Sequence, residues 1–171
     1  MNLITIIYYI VSILSIFLYV MSVQFKKKEN ILITQIGASM CYLIVYVIKG
    51  AWSGVSIEIL EELKNLVFIK IEKNNKKIPL FILIIFLSLL VGVSIYFYDG
   101  VLSLLPLFIN ILLFTSTYFK NPKYIRYTML ICGLLWGIYN IYVGAYIICI
   151  GNFLEILSAI ISIKRYQEKK Q

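Results

Sequence analysis

The sequence predicts an all-α membrane protein of seven transmembrane helices, arranged as two parallel three-helix repeats joined by one linker helix (3+1+3). Three observations predict it: seven apolar runs of membrane-spanning length, lysines gathered in alternate loops, and a self-similarity at a shift of 94 positions.

The apolar runs are Leu3 to Phe25, Ile31 to Ile48, Ala51 to Ile71, Ile78 to Tyr98, Val101 to Phe119, Tyr124 to Val143 and Ala145 to Ile163. A helix needs ~20 mostly apolar residues to cross the hydrocarbon, and a helix satisfies its own backbone there. Breaks fall at Lys26 to Asn30, Lys49-Gly50, Glu72 to Lys77, Asp99-Gly100, Lys120 to Lys123 and Gly144. Asn75 lies in the third of these, and Pro79 opens the fourth helix, where a missing N–H is harmless. The N-terminal run has no preceding positive residue and is too long for a signal peptide, so it is expected to remain as a helix.

With 61% hydrophobic residues in 171, the chain far exceeds the ~45–50% of soluble domains and leaves no room for a separate soluble domain. The net charge of +8 sits in short clusters between apolar runs, which argues against nucleic acid as a partner and for the lipid bilayer. No histidine is present, and Cys41, Cys132 and Cys149 lie in apolar runs without metal-ligand spacing. No cofactor, no metal site and no catalytic residue is expected, and the chain reads as a non-enzyme.

Alternating the loops puts Lys26–Lys28, the Lys70–Lys77 group, Lys120, Lys123 and Arg126, and the tail with Lys164, Arg165, Lys169 and Lys170 on one side. The other side receives Lys49. The positive-inside rule then predicts a multi-pass inner-membrane protein with its N-terminus outside and its C-terminus cytoplasmic. The third run carries Glu58, Glu61, Glu62 and Lys64, so a helix lying on the membrane surface is the alternative for it. If it did not cross, the charge asymmetry would vanish. Crossing requires the acids to face the bundle interior, because an ionisable group at a helix centre costs ~2.5–3.5 kcal/mol on insertion scales.

At the shift of 94, Gly50-Ala51 falls on Gly144-Ala145, Leu60-Glu61 on Leu154-Glu155, and Phe25-Lys26 on Phe119-Lys120. Paired mid-helix glutamates and a paired Gly-Ala point to duplication. Residues 1–77 then form the first repeat, 78–98 the linker helix, and 99–171 the second repeat with a short basic tail. Three crossings per repeat would invert the second; the linker restores its orientation, and parallel repeats commonly place a site at their interface.

The stretches Gly50-Ala51-Trp52, Glu61 to Phe68, Leu105-Pro106, Phe119 to Arg126 and Leu135-Trp136-Gly137-Ile138-Tyr139-Asn140 resemble the bacterial YgjV-like inner-membrane family. The three-one-three plan resembles the superfamily of the SWEET sugar transporters and the PnuC vitamin transporters. That resemblance implies a small-molecule transporter or facilitator and leaves a homo-oligomer open. There is no Pro-Gln motif, and Pro106 falls on Ser12, so rocking about paired prolines is not implied.

The candidate substrate-binding residues are Glu61, Glu155, Trp136, Asn140, Asn65 and Asn152. Glu61 and Glu155 occupy equivalent mid-helix places, as a cation or proton site or as internally paired groups, Glu61 with Lys64 at i+3 or Glu58 with a polar group on another helix. Glu58, Glu62 and Asn65 form one polar stripe, and Asn152, Glu155 and Ser158 another; each either lines a cavity or bonds helix to helix. Trp136, Tyr139 and Asn140 fall opposite Tyr42, Val45 and Tyr46, an aromatic wall suited to a polar, cationic or aromatic ligand. Trp52 reads as interfacial, and Gly50/Gly54 and Gly133/Gly137 as close-packing pairs. A non-transporting membrane protein, a sensor or assembly partner, is the second reading.

Overall fold

The computed structural model describes residues 2–74, 76–119 and 121–168. Asn75, Lys120, Lys169 and Lys170, which the sequence reading places in loops and tail, lie outside the described residues. Seven α-helices follow one another: α1 (Leu3–Ser22), α2 (Lys28–Lys49), α3 (Trp52–Lys73), α4 (Leu80–Tyr96), α5 (Leu105–Tyr118), α6 (Pro122–Tyr142) and α7 (Tyr146–Glu168).

Local signals set their ends. Gly50 and Gly144 adopt the left-handed conformation (φ 68° and 73°) and stop α2 and α6. The next N–H in each case, Ala51 and Ala145, donates back to Tyr46 O at 2.9 Å and Asn140 O at 2.7 Å, closing matching Schellman turns. At the start of α6 the Asn121 side chain accepts the Lys123 N–H at 3.0 Å, and Pro122 takes the first helical position. The fifth apolar run is not helical from its start: Val101–Leu104 form a 3-10 turn after Gly100 (φ 85°), and α5 begins around Pro106. Proline lacks the N–H that would continue an α-helical ladder back through Leu102.

The burial pattern is the reverse of a water-soluble bundle. In α1 the buried residues are Ser12, Ser15, Tyr19 and Ser22, while Ile10, Ile13 and Phe17 are exposed. In α3, Glu58, Glu61, Lys64 and Asn65 are buried, and Ile59, Leu63 and Leu66 face outward. Glu62 is the exception to the expected stripe; it sits at the edge of the buried face and is half-buried, because Glu61 and Lys64 are turned inward. By length and composition Leu3–Ser22, Lys28–Lys49, Val101–Tyr118 and Tyr146–Tyr166 are apolar enough to cross a membrane; Leu80–Tyr96 is a shorter apolar helix.

Six helices close a ring. α1 packs on α2 and α7, α3 on α2 and α5, and α6 on α5 and α7, while α4 lies outside against α3 and α5. Phe86 of α4 meets Phe68 and Phe114 edge-on, fixing α4 at the α3–α5 seam. Elsewhere hydroxyls join helices: Ser158 donates to Val20 O at 2.8 Å and Ser162 to Val23 O at 2.6 Å, so on α7 Ser158 serves as glue. Among the described residues Lys49 is the one basic side chain at the end of the bundle that carries Gly50, Asp99 and Val143. At the other end Arg126 donates to Val23 O at 3.1 Å and Phe25 O at 2.5 Å, holding a cation at the C-terminus of α1, and Lys28 pairs with Glu72 at 2.8 Å.

Of the glycines expected to pack closely, Gly54 and Gly133 do and Gly50 and Gly137 do not. A Cβ on Gly54 would meet Tyr139 Oη at 2.9 Å, and one on Gly133 would meet Ile156 Cγ1 at 2.7 Å; Gly50 faces open space and serves as a helix cap, and a Cβ on Gly137 would meet only Cys149 Sγ at 4.0 Å. Gly133→Val should therefore lower stability by about 1–3 kcal/mol through overpacking, whereas Gly92→Ala, where nothing lies within 4 Å, should be neutral or stabilising. Thermal unfolding of both variants in detergent checks this.

Candidate functional site

The ring encloses a narrow polar cavity. Its acids are Glu58 and Glu61 from α3 and Glu155 from α7, and its walls include Tyr19, Gln35, Tyr42, Tyr46 and Trp136. About 20 Å³ is open to the centres of water-sized groups, room for one or two waters.

Each acid is held differently. Glu58 accepts a hydrogen bond from the Ser39 hydroxyl of α2, the partner on another helix that its burial requires. Glu155 accepts from Tyr42 Oη at 3.0 Å, also across a helix boundary. Glu61 has Lys64 and Asn65 as its neighbours one turn along, and the opposite charges of Glu61 and Lys64 act on each other without a direct ion pair. Lys64 is wholly buried. Its Nζ donates to Thr117 Oγ1 at 3.1 Å and lies 4.5 Å from the centre of the Phe114 ring.

Trp136, Asn140 and Asn152 form the roof. Tyr46 Oη donates to Asn140 Oδ1 at 2.9 Å, and Asn140 Nδ2 donates to Asn152 Oδ1 at 2.8 Å. Tyr46 stacks on Trp136 with centroids 6.0 Å apart and meets Tyr139 edge-on at 5.7 Å. Tyr139 in turn shares a hydrogen bond of 2.9 Å with Ser53. Ser53 faces a second space, an open vestibule of about 500 Å³ bounded by Lys49, Trp52, Tyr98, Asp99 and Tyr142. The rings of Tyr139 and Tyr46 thus lie between Ser53 of the vestibule and the acidic cavity.

Of the six candidate residues, Glu61, Glu155, Trp136 and Asn152 line the cavity. Asn140 sits behind the wall and ties Tyr46 to Asn152. Asn65 is fully buried beside Glu61, outside the lining. Residues 94 positions apart meet here: Gln35 Nε2 points at Met129 Sδ (3.4 Å), and Tyr46 bonds Asn140. The lining also contains the pairs Tyr19/Leu113, Tyr42/Trp136, Glu58/Asn152 and Glu61/Glu155.

Residues 6–170 match the model of the family Imp-YgjV, described as bacterial inner membrane protein. The chain belongs to this family. No curated protein and no solved structure gives a significant match. Membership in Imp-YgjV and the apolar helices establish a membrane location.

The sequence reading placed Tyr42 in the aromatic wall and gave Glu58 a polar partner on another helix, but it missed Gln35 and Ser39 as site residues and Tyr42 as the partner of Glu155. A signal existed: Gln35, Ser39, Tyr42 and Tyr46 recur at helical spacing through an otherwise apolar α2. Mass of Tyr in the sequence masked it.

Removing Lys64 takes a donor from Thr117 and an opposite charge from the neighbourhood of Glu61, so Lys64→Met should destabilise by ~1–3 kcal/mol. Adding Glu61→Gln should restore much of that loss, and the double-mutant cycle measured by unfolding in detergent gives the coupling. Additive losses would show that the two charges do not interact.

Proposed function

We propose that this Imp-YgjV chain is a carrier or facilitator for a small polar solute, bound between two parallel three-helix repeats. The observation that carries the reading is the cavity: three buried carboxylates line a water-sized space behind an aromatic layer, with a vestibule beyond it. A bundle that needed polar residues only as glue would have no reason to hold such groups around a space, at several kcal/mol of desolvation for each ion.

Support for the 3+1+3 plan comes from the contacts between residues 94 apart and from the twin Schellman turns. The packing of α3 on α5 has its counterpart in α7 on α1, as a two-fold relation between repeats requires, and α4 stands outside as the linker. The likeness of plan to the SWEET and PnuC superfamily adds an analogy of fold only. In this reading α3 and α6 also cross, since both fill places in the ring between apolar spans and turn Leu63, Leu66, Ile131 and Leu134 outward. The basic end faces the cytoplasm, with the N-terminus and the vestibule outside. The Tyr46–Trp136–Tyr139 layer is then the closed outer gate. The absence of histidine from the sequence keeps the reading non-enzymatic.

One observation favours the second reading, a non-transporting inner-membrane protein. The chain Tyr46–Asn140–Asn152 is continuous and joins α2, α6 and α7 as structural glue would.

Two measurements test the proposal. In a Cys-free background, Asp99→Cys should react with a membrane-impermeant maleimide added to intact cells, and Lys77→Cys should react only after the membrane is opened; the reverse would overturn the topology. A thermal-shift screen of purified protein against sugars, vitamins, nucleosides and amines should find a saturable shift. Glu61→Gln should abolish it without unfolding the protein, and Asn140→Ala should weaken it. No shift from any class, with both variants as stable as the parent, would favour the non-transporting reading.

A further inference from the structure

The cavity's chemistry narrows the solute. Three carboxylates face it, and the one buried ammonium beside them, Lys64, is occupied by Thr117 and the Phe114 face. The walls are aromatic and continuous: Tyr19 meets Tyr42 at 4.9 Å between centroids, Tyr42 stacks on Tyr46 at 6.0 Å, and Tyr46 on Trp136 at 6.0 Å. Carboxylates with aromatic faces are the surroundings that favour a cation.

A second observation, on the amide beside Glu61, points to a missing occupant. Asn65 is fully buried and faces Glu61, yet neither its amide nitrogen nor its oxygen makes a hydrogen bond of ordinary length. A buried amide with no closer partner than a long contact to Glu61 is costly, and such groups in native structures call for a bound water or ion. The free space, about 20 Å³ for water-sized centres, excludes a sugar ring or a vitamin in this conformation.

The kind of cation follows from the spacing of the ligands. Among the described residues no three acidic, cysteine or histidine side chains converge as metal ligands do. Carboxylates spread around a space suit a cation that donates several directed hydrogen bonds. We propose that the cavity binds ammonium or the head group of a primary alkylammonium ion, donating to Glu61 and Glu155 and resting against Tyr42 and Trp136. Asn65, outside the lining and one turn from Glu61, then positions that carboxylate for the ion. The proposal names the substrate class of the carrier reading and rests on it for its function.

Trp136 lines the cavity and Trp52 is the other tryptophan of the chain, so Trp52→Phe leaves a single reporter at the site. In detergent at constant ionic strength, methylammonium and ammonium chloride should change Trp136 emission saturably, and sodium and potassium chloride should not. Asn65→Leu should raise the apparent Kd at least about tenfold, and Glu61→Gln and Glu155→Gln should each abolish the response, with circular dichroism reporting that they remain helical. If one of these unfolds, the other two decide. An equal response to potassium, or none from a folded parent, overturns the proposal. Uptake by proteoliposomes separates the two claims. Methylammonium binding without flux keeps the site and removes the carrier reading; flux of a neutral solute without ammonium binding keeps the carrier and overturns the site.

Discussion

The cost of holding ionisable side chains away from water governs this structure. Glu58, Glu61, Lys64 and Glu155 are all buried within a bundle whose outer surface is apolar. A single helix crossing lipid cannot shelter such groups, since each would meet hydrocarbon on some part of its circuit. A closed ring can, because every helix then has one face that sees only other helices. The hydroxyls and amides along α1, α2 and α7 follow from the same requirement: Ser39 and Tyr42 serve Glu58 and Glu155, and Ser158 and Ser162 serve the exposed carbonyls at the end of α1. The burial of serine beside the exposure of isoleucine in α1 is thus one consequence of the interior's polarity.

The ring also explains why small residues stand where they do. Tyr139 can reach Ser53 across the α3–α6 gap only because Gly54 leaves room for its hydroxyl. Gly133 lets α7 approach α6 at Ile156, one residue beyond Glu155, which brings that carboxylate toward the centre. The aromatic layer and the acid site are therefore set by backbone distance as much as by the side chains that compose them.

Much of this was legible in the sequence, and the reason differs from element to element. The seven runs and the gathering of lysines at one end depend on hydropathy and length, which act locally. The Glu61/Glu155 correspondence was legible as a match at a shift of 94 positions, and the cavity holds both. The roles of Ser39, Tyr42 and Gln35 were not, since they depend on which face of α2 looks inward, and α2 is apolar enough that its few polar residues look incidental. Pro106 misled in a different way: a run counted as one helix from Val101 begins with a 3-10 turn, because a proline at that place cannot join the ladder before it. The Glu61–Lys64 spacing correctly made the two neighbours, but distance along one helix could not say that Thr117 of α5 would take the ammonium.

Gluing and binding are not exclusive uses of one polar stripe, and this bundle divides them by depth. On α7, Asn152 and Glu155 face the cavity while Ser158 and Ser162, one and two turns further, bind α1 backbone. On α3, Glu58 and Glu61 face the cavity while Lys64 is tied to α5. The tied groups lie together toward the basic end, so the ring is fastened there, and its opposite end, above Tyr46 and Trp136, is joined by aromatic contacts and by neutral hydrogen bonds, Ser53–Tyr139 and the chain Tyr46–Asn140–Asn152. A hydrogen bond between neutral groups contributes only about 0.5–1.5 kcal/mol net, against about 1.5–3 kcal/mol for those that Lys64 and Arg126 make toward the basic end. The end that Tyr139 closes is therefore the more weakly fastened of the two.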